Sequence, residues 1–265
     1  MSEQPSLRRR ILGGELTVGT FLNLGSPMAA ELCARAGFDW LVLDMEHGVL
    51  TEAGLLYMLH AVSGTPATAV VRVEEGTRLR IGRALDFGAR ALMVPRVESA
   101  THAADVVRFV RYPPLGVRGV ALPTRSAGYG ALTHADIATA HEETALFIQL
   151  ESGPAIEAAD DIAAIDGVDV LFVGPTDLTH ALGVPGDITA PAYAQAVTRV
   201  GRAAAEQGKA AGVLLWALDD LGPYRDAGFS VFAVGSDGGY VASAARGLAG
   251  SFRQRVRPEE PALSD

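Results

Sequence analysis

Eight short apolar runs with strand character recur along this chain of 265 residues: Thr17–Leu24, Trp40–Glu46, Ala67–Val73, Ala89–Val97, Ala145–Glu151, Val168–Val173, Ala210–Leu215 and Phe229–Val234. Between most of them lie Ala-rich stretches with helical spacing, namely Pro27–Ala36, Gly76–Phe87, Ser99–Val110, Ala155–Ala164 and Ala192–Gln207. Helix start signals support several of these, with Ser26 before Pro27, Thr51 before Glu52, and Ser99 before the next run. Alternation of strand and helix over eight repeats predicts an α/β fold, a single (β/α)8 TIM barrel, with a doubly wound open sheet as the alternative. No Gly/Ser/Pro linker breaks the pattern, so residues 1–256 read as one barrel domain and 257–265 as a solvated tail.

Composition narrows the functional classes. The chain is 49% hydrophobic, 20% charged and only 6% aromatic, as expected of a core built from Ala, Val and Leu. A net charge of −9 argues against nucleic acid, whose binding needs clustered cations. The one dense basic run, Arg8-Arg9-Arg10, reads as a solvated helix face. No apolar run approaches the ~18 residues of a membrane span and the N-terminus lacks a signal-peptide core, so a cytoplasmic protein without membrane contact is expected. Cys33, the single cysteine, excludes an intrachain disulfide and reads as a buried filler.

Strand side chains alternate between faces, so parity sorts them. In the second run Leu41, Leu43 and Met45 share one face and suit packing against helices, leaving Val42, Asp44 and Glu46 for the barrel interior. The same logic turns Val71 and Val73 outward and Val70 and Arg72 inward. It also turns Leu146, Ile148 and Leu150 outward and Phe147, Gln149 and Glu151 inward. Three strands thus end in inward polar groups at the C-terminal end, where barrels carry their active sites. His47 follows at the rim. In "VGPTDL" a Gly-Pro turn presents Thr176 and Asp177, which with Glu151 makes a pair of carboxylates suited to Mg²⁺ or Mn²⁺, with Co²⁺ a further option.

A cation so held chelates a 2-oxo acid and acts as a Lewis acid, while Arg72 stabilises charge on the keto oxygen. His47 is the natural proton carrier, with Asp44 three residues earlier to orient its ring. These parts suit proton abstraction or carbon–carbon cleavage beside a carbonyl. Lys209 is the only lysine, and its place after Gly208, entering strand seven, puts it at the wrong end for Schiff-base chemistry.

"AGFDWLVLDMEHG", "VVRV", "GARALMVPRVESA", "RYPPLGVRGV", "FIQLESGPAIE" and "VDVLFVGPTDLTHALG" resemble, in order, the HpcH/HpaI family of metal-dependent class II pyruvate aldolases, over about Gly19 to Arg246. The resemblance implies a barrel that exchanges its C-terminal helix between subunits and assembles as a homohexamer, a trimer of dimers. It implies reversible cleavage of a 4-hydroxy-2-oxo acid to pyruvate, or an analogue such as hydroxypyruvate, and an aldehyde through a metal-held enolate. It assigns the metal to Glu151 and Asp177, enolate stabilisation to Arg72, and proton transfer to His47 with Asp44, with Asp86 as a further acidic residue nearby. Gln149, Gly174, the backbone amides of Thr176 and Asp177, Phe21, Arg125 and Leu214 fall to substrate. Departures occur at Gly128, where relatives carry a second arginine, and at Phe21 and Trp216. All three bear on the aldehyde. Glu46 fits the motif as an acceptor supporting the site.

Competing features are few. His60, His102, His134, His141 and His180 read as surface groups, and Asp237 in "AVGSDGG" as a helix cap rather than part of a phosphate cradle. The long irregular stretch Arg111–His134 reads as functional. Two other functions stay open at this point: an acyl-CoA lyase of the citramalyl- or malyl-CoA type, and a non-catalytic protein that binds oxo acids.

Overall fold

Each apolar run forms a parallel strand, and the strands close in chain order: β1 (Thr17–Leu22), β2 (Trp40–Asp44), β3 (Thr68–Arg72), β4 (Ala91–Val94), β5 (Ala145–Leu150), β6 (Val170–Val173), β7 (Ala210–Leu215) and β8 (Val231–Ser236). The ladder between β8 and β1 settles the choice against an open sheet. The computed structural model describes residues 5–256, so the tail expected at 257–265 lies outside the described residues. The helices are α1 (Leu7–Leu12), α2 (Pro27–Arg35), α3 (Glu52–Val62), α4 (Arg78–Asp86), α5 (Ala100–Val110), α6 (His134–Ala138), α7 (Gly153–Glu157), α8 (Ala159–Ala163), α9 (Pro175–Ala181), α10 (Pro191–Glu206), α11 (Leu221–Asp226) and α12 (Asp237–Val256). Ser26, Thr51 and Ser99 cap α2, α3 and α5 as their positions in the sequence require. None of the described helices is long and apolar enough to cross a membrane.

Parity holds throughout. Leu41, Leu43, Met45, Val71, Val73, Leu146, Ile148 and Leu150 join the layer between strands and helices. Val42, Val70 and Phe147 fill the barrel with Trp40, Met93 and Phe172. The rings of Trp40, Phe147 and Phe172 meet with centroids 5.6–6.3 Å apart. Gly19 makes room for them, since a Cβ there would stand 2.2 Å from the Trp40 ring. Gly19→Ala should therefore destabilise the barrel by about 2 kcal/mol through overpacking. Thermal unfolding should show a midpoint lowered by roughly 5 °C.

The N-terminal end of the barrel corrects one expectation. Leu7 and Ile11, one helical turn apart, enter the inner core, so α1 plugs the barrel and its arginines are not a free solvated face. Arg8 Nε donates to both oxygens of Asp169 at 3.0 and 3.1 Å, and the Asp169 side chain is only 1% exposed. Arg10 pairs with Glu15 and Asp39, leaving Arg9 as the outward member. Cys33 is likewise half-buried against the core rather than enclosed by it. The expected helix 155–164 is divided into α7 and α8 at Ala158. The long stretch after α5 joins a helix end to a strand start, so it lies at this same N-terminal end. It holds a short 3-10 segment, Arg125–Gly130, over a small cluster of Tyr112, Ala127 and Ile137.

Candidate active site

Two inward residues on neighbouring strands meet at the C-terminal mouth because the β2–β3 register sets Asp44 beside Arg72. Arg72 Nε donates to Asp44 Oδ1 and Nη2 to Oδ2, both at 2.8 Å, and Asp44 is 0% exposed. Asn23, just past β1, donates from Nδ2 to Asp44 Oδ2 at 2.6 Å. The backbone N–H groups of Glu46 and His47 donate to Asp44 Oδ1 at 3.1 and 3.3 Å. Asp44 therefore folds the chain back on itself, which is why β2 stops at Asp44 and not at Glu46. The third guanidinium nitrogen of Arg72, Nη1, lies 3.1 Å from Glu46 Oε2, and the guanidinium lies over the Phe21 ring, 4.9 Å from its centroid. Burial works against the Arg72 charge. The hydrogen bonds and charge of Asp44, with Glu46 and Glu151, outweigh it and hold its pKa above the ordinary guanidinium value.

The pairing expected between His47 and Asp44 is not the one formed. Both Asp44 oxygens are taken by Arg72 and Asn23, and only the backbone N–H of His47 reaches Asp44. The His47 ring is 65% exposed, and its Nε2 stands 3.8 Å from Glu46 Oε2. Glu46 is thus the carboxylate between histidine and arginine. Burial raises its pKa, with Arg72 and His47 opposing and Asp44 and Asp177 adding to the rise. A carboxylate placed this way serves a proton relay better than Asp44, which is committed to Arg72.

Across the mouth, Glu151 is buried at the end of β5. Gln149 Nε2 donates to its Oε1 at 2.8 Å, and the Arg96 backbone N–H to its Oε2 at 3.2 Å. Arg96 reaches that position with a positive φ of 54°, a conformation uncommon for non-glycine residues. Gly174 leaves the carboxylate its space, because a Cβ there would stand 2.5 Å from Glu151 Oε1. Burial first, then the charges of Glu46 and Asp177, push the Glu151 pKa up to about 7, against smaller opposing effects of the Arg96 amide and Arg72.

These observations fit a divalent cation. Carboxylates repelling one another around a buried position are relieved by positive charge, and Gln149 Oε1 is buried without a hydrogen-bond partner. Among the described residues no three His, Cys, Asp or Glu side chains converge as a complete ligand set. An oxygen site of two carboxylates completed by water and substrate is the arrangement hard cations such as Mg²⁺ accept.

Phe21 and Leu214 border the inner core beneath this site. Thr176 and Asp177 lie exposed in the first turn of α9, whose N-cap Gly174 has no side chain to occupy their amides. Asp86 and Arg125, expected nearby, are not brought here. α4 runs back along the barrel, so Asp86 at its last position sits at the N-terminal end, 3.0 Å from Arg118 Nη2. Arg125 Nη1 donates to the Phe87 carbonyl at 3.1 Å beside it. His180 stays local, its Nδ1 2.8 Å from the Thr176 carbonyl. Asp237 accepts from the amides of Asn23 and Gly238, both at 2.8 Å, and from that of Leu24 at 3.3 Å. The protein's own carboxylate thus occupies the amides a phosphate would need.

Two contributors escaped the sequence reading. Asn23 shares the inward parity of Gly19 and Phe21, so continuing the alternation past β1 would have found it. Arg96 acts through its backbone, and no side-chain pattern announces that.

Comparison with known proteins gives this geometry a context. The profile of the HpcH/HpaI aldolase/citrate lyase family matches residues 17–244. A hydroxypyruvate/pyruvate aldolase of Delftia acidovorans is 38% identical over 245 residues, covering 92% of this chain and 91% of its own. A 2-keto-3-deoxy-L-rhamnonate aldolase of Klebsiella pneumoniae is 40% identical over 208 residues, 78% of each chain. The crystal structure of an HpcH/HpaI aldolase/citrate lyase family protein from Burkholderia cenocepacia J2315 superposes with a TM-score of 0.88 at 38% identity, covering 93% of this chain and 98% of that one. The match takes in every strand of the barrel and both walls of its mouth, and on it the chain belongs to the HpcH/HpaI aldolase/citrate lyase family.

Proposed function

We propose that this protein is a metal-dependent aldolase that reversibly cleaves a 4-hydroxy-2-oxo acid to pyruvate, or hydroxypyruvate, and an aldehyde. The observation that carries the reading is the Arg72 guanidinium, held by two nitrogens on Asp44 with Nη1 directed to Glu46, at the same mouth as Glu151 and Asp177. Relatives named hydroxypyruvate/pyruvate aldolase and 2-keto-3-deoxy-L-rhamnonate aldolase support it.

A divalent cation such as Mg²⁺, Mn²⁺ or Co²⁺, held by Glu151 and Asp177, supplies Lewis acidity toward the 2-oxo acid when bound. Gln149 steadies Glu151, and the open amides of Thr176 and Asp177 receive the substrate carboxylate. Arg72 Nη1 stabilises the negative charge that gathers on the keto oxygen as the C3–C4 bond breaks. His47, with Glu46 behind it, takes the proton of the 4-hydroxyl as that oxygen becomes the aldehyde carbonyl. Return of a proton to C3 releases pyruvate. Phe21 and Leu214 wall the pocket.

The assembly reading is a homo-oligomer, with a hexamer built through α12 as the specific form. In support, Asp237 is the only buried residue of that 20-residue helix, and Val241, Leu248, Phe252 and Val256 are exposed.

The test is direct. Protein loaded with Mg²⁺ or Mn²⁺ is incubated with pyruvate or hydroxypyruvate and a panel of aldehydes in D₂O, and products are followed by NMR and mass spectrometry. Aldol adducts and deuterium at C3 are expected. Neither adduct nor exchange with any metal would overturn the reading.

A further inference from the structure

We propose that Asn23 is a positioning residue for Arg72: it fixes the Asp44 carboxylate whose two oxygens in turn set the guanidinium. The kinetic consequences rest on the aldolase reading, whereas the geometric claim does not.

The buried Oδ2 of Asp44 has two side-chain donors, Arg72 Nη2 at 2.8 Å and Asn23 Nδ2 at 2.6 Å. Arg72 sits at the end of a long flexible side chain and Asp44 has its own rotation about Cβ–Cγ, so a bidentate pair alone can tilt as a unit. The Glu46 and His47 N–H groups steady Oδ1 from the same segment of chain, and a donor on Oδ2 from a different strand end removes the freedom that is left. Asn23 supplies it, and Asn23 is anchored independently: its N–H donates to Asp237 Oδ1 at 2.8 Å, and its carbonyl accepts from the Val49 N–H at 3.1 Å. Asp237 is itself 3% exposed and begins α12. The chain Asp237–Asn23–Asp44–Arg72 therefore links the ends of β8, β1, β2 and β3 and terminates on the nitrogen that faces Glu46. Substituents that orient a catalytic group in this way are worth about tenfold or more in activity when removed.

Two variants and two readouts test it. Asn23→Ala should lower pyruvate C3 exchange about tenfold through kcat, with KM for pyruvate little changed and an unchanged pH profile. In Asn23→Asp the introduced carboxyl faces Asp44 Oδ2, the oxygen that also accepts from Arg72 Nη2, and Asp237 holds the N–H of the same residue. Asp44 and Asp237 raise its pKa and Arg72, already paired with both Asp44 oxygens, opposes them only in part, so at low pH its O–H replaces the amide donor and at high pH repulsion from Asp44 breaks the contact. Activity relative to wild type should therefore be near normal at pH 5.5 and fall as pH rises to 8, roughly tenfold. A packing role alone predicts no such dependence.

The second readout needs neither metal nor turnover. In protein labelled with 4-fluorophenylalanine, the ¹⁹F resonance of Phe21, assigned with Phe21→Leu, senses the guanidinium over its ring. Asn23→Ala should shift and broaden that line in the metal-free protein while the thermal midpoint stays within about 2 °C. An unmoved resonance overturns the proposal whatever the activity, and so does Asn23→Asp that matches wild type at pH 8. If wild type shows no C3 exchange, the aldolase reading fails, and the ¹⁹F line still decides the role of Asn23.

Discussion

Arg72→Ala is expected to suppress pyruvate C3 exchange and aldol cleavage by about 10³-fold, the upper range for removing one preorganised donor from a developing oxyanion. The loss should appear in kcat more than in KM, because the charge it meets arises only as the carbon–carbon bond breaks. Arg72→Lys should recover little. An ammonium cannot donate to both Asp44 oxygens in a plane while keeping a further nitrogen on Glu46. Stability should fall as well, since Asp44 is 0% exposed and would lose its cation; stranding a buried charge costs about 3–5 kcal/mol. Exchange in D₂O at the wild-type rate would remove Arg72 from the mechanism.

The second expected result concerns the cation and pH together. Chelation should abolish activity, and Mg²⁺ or Mn²⁺ should restore it. Without metal, Glu151 holds its proton up to about pH 7, whereas in the unfolded chain it releases it near the ordinary glutamate value of 4.5. Between those values the folded state binds more protons than the unfolded state, so stability of the metal-free protein falls as pH rises through that window and levels off above it. The loss is on the order of 3 kcal/mol. A bound cation replaces the proton, so the gain in thermal midpoint on adding Mg²⁺ or Mn²⁺ should be small at pH 5 and large at pH 8. Equal gains at both pH values would show that the cation is not held by Glu151.

Much of this was legible from alternation. Leu41, Leu43 and Met45 had to face helices once Val42 and Asp44 faced the barrel, and that single choice placed Asp44 and Arg72 in one interior. Strand ends were less legible. Glu46 continues the alternation on paper, yet the chain turns at Asp44 because its carboxylate binds the next backbone amides. The partner of His47 was misread for the same reason: three residues of spacing bring a side chain near, but the stronger cation on the adjacent strand takes it first. Asp86 and Arg125 were tied to the site by the family resemblance and by no pattern of alternation, and their distance from this mouth follows from the direction of α4.

The amino-acid sequence by itself determined the barrel, the faces of its strands and the group of inward polar residues at one end, because these depend on period and order along the chain. Which donor each carboxylate keeps was decided by tertiary structure alone. Asn23, the Arg96 amide and Gly174 come from just past the ends of β1, β4 and β6 to hold groups at the ends of β2 and β5, and such contacts exist only once the barrel has closed.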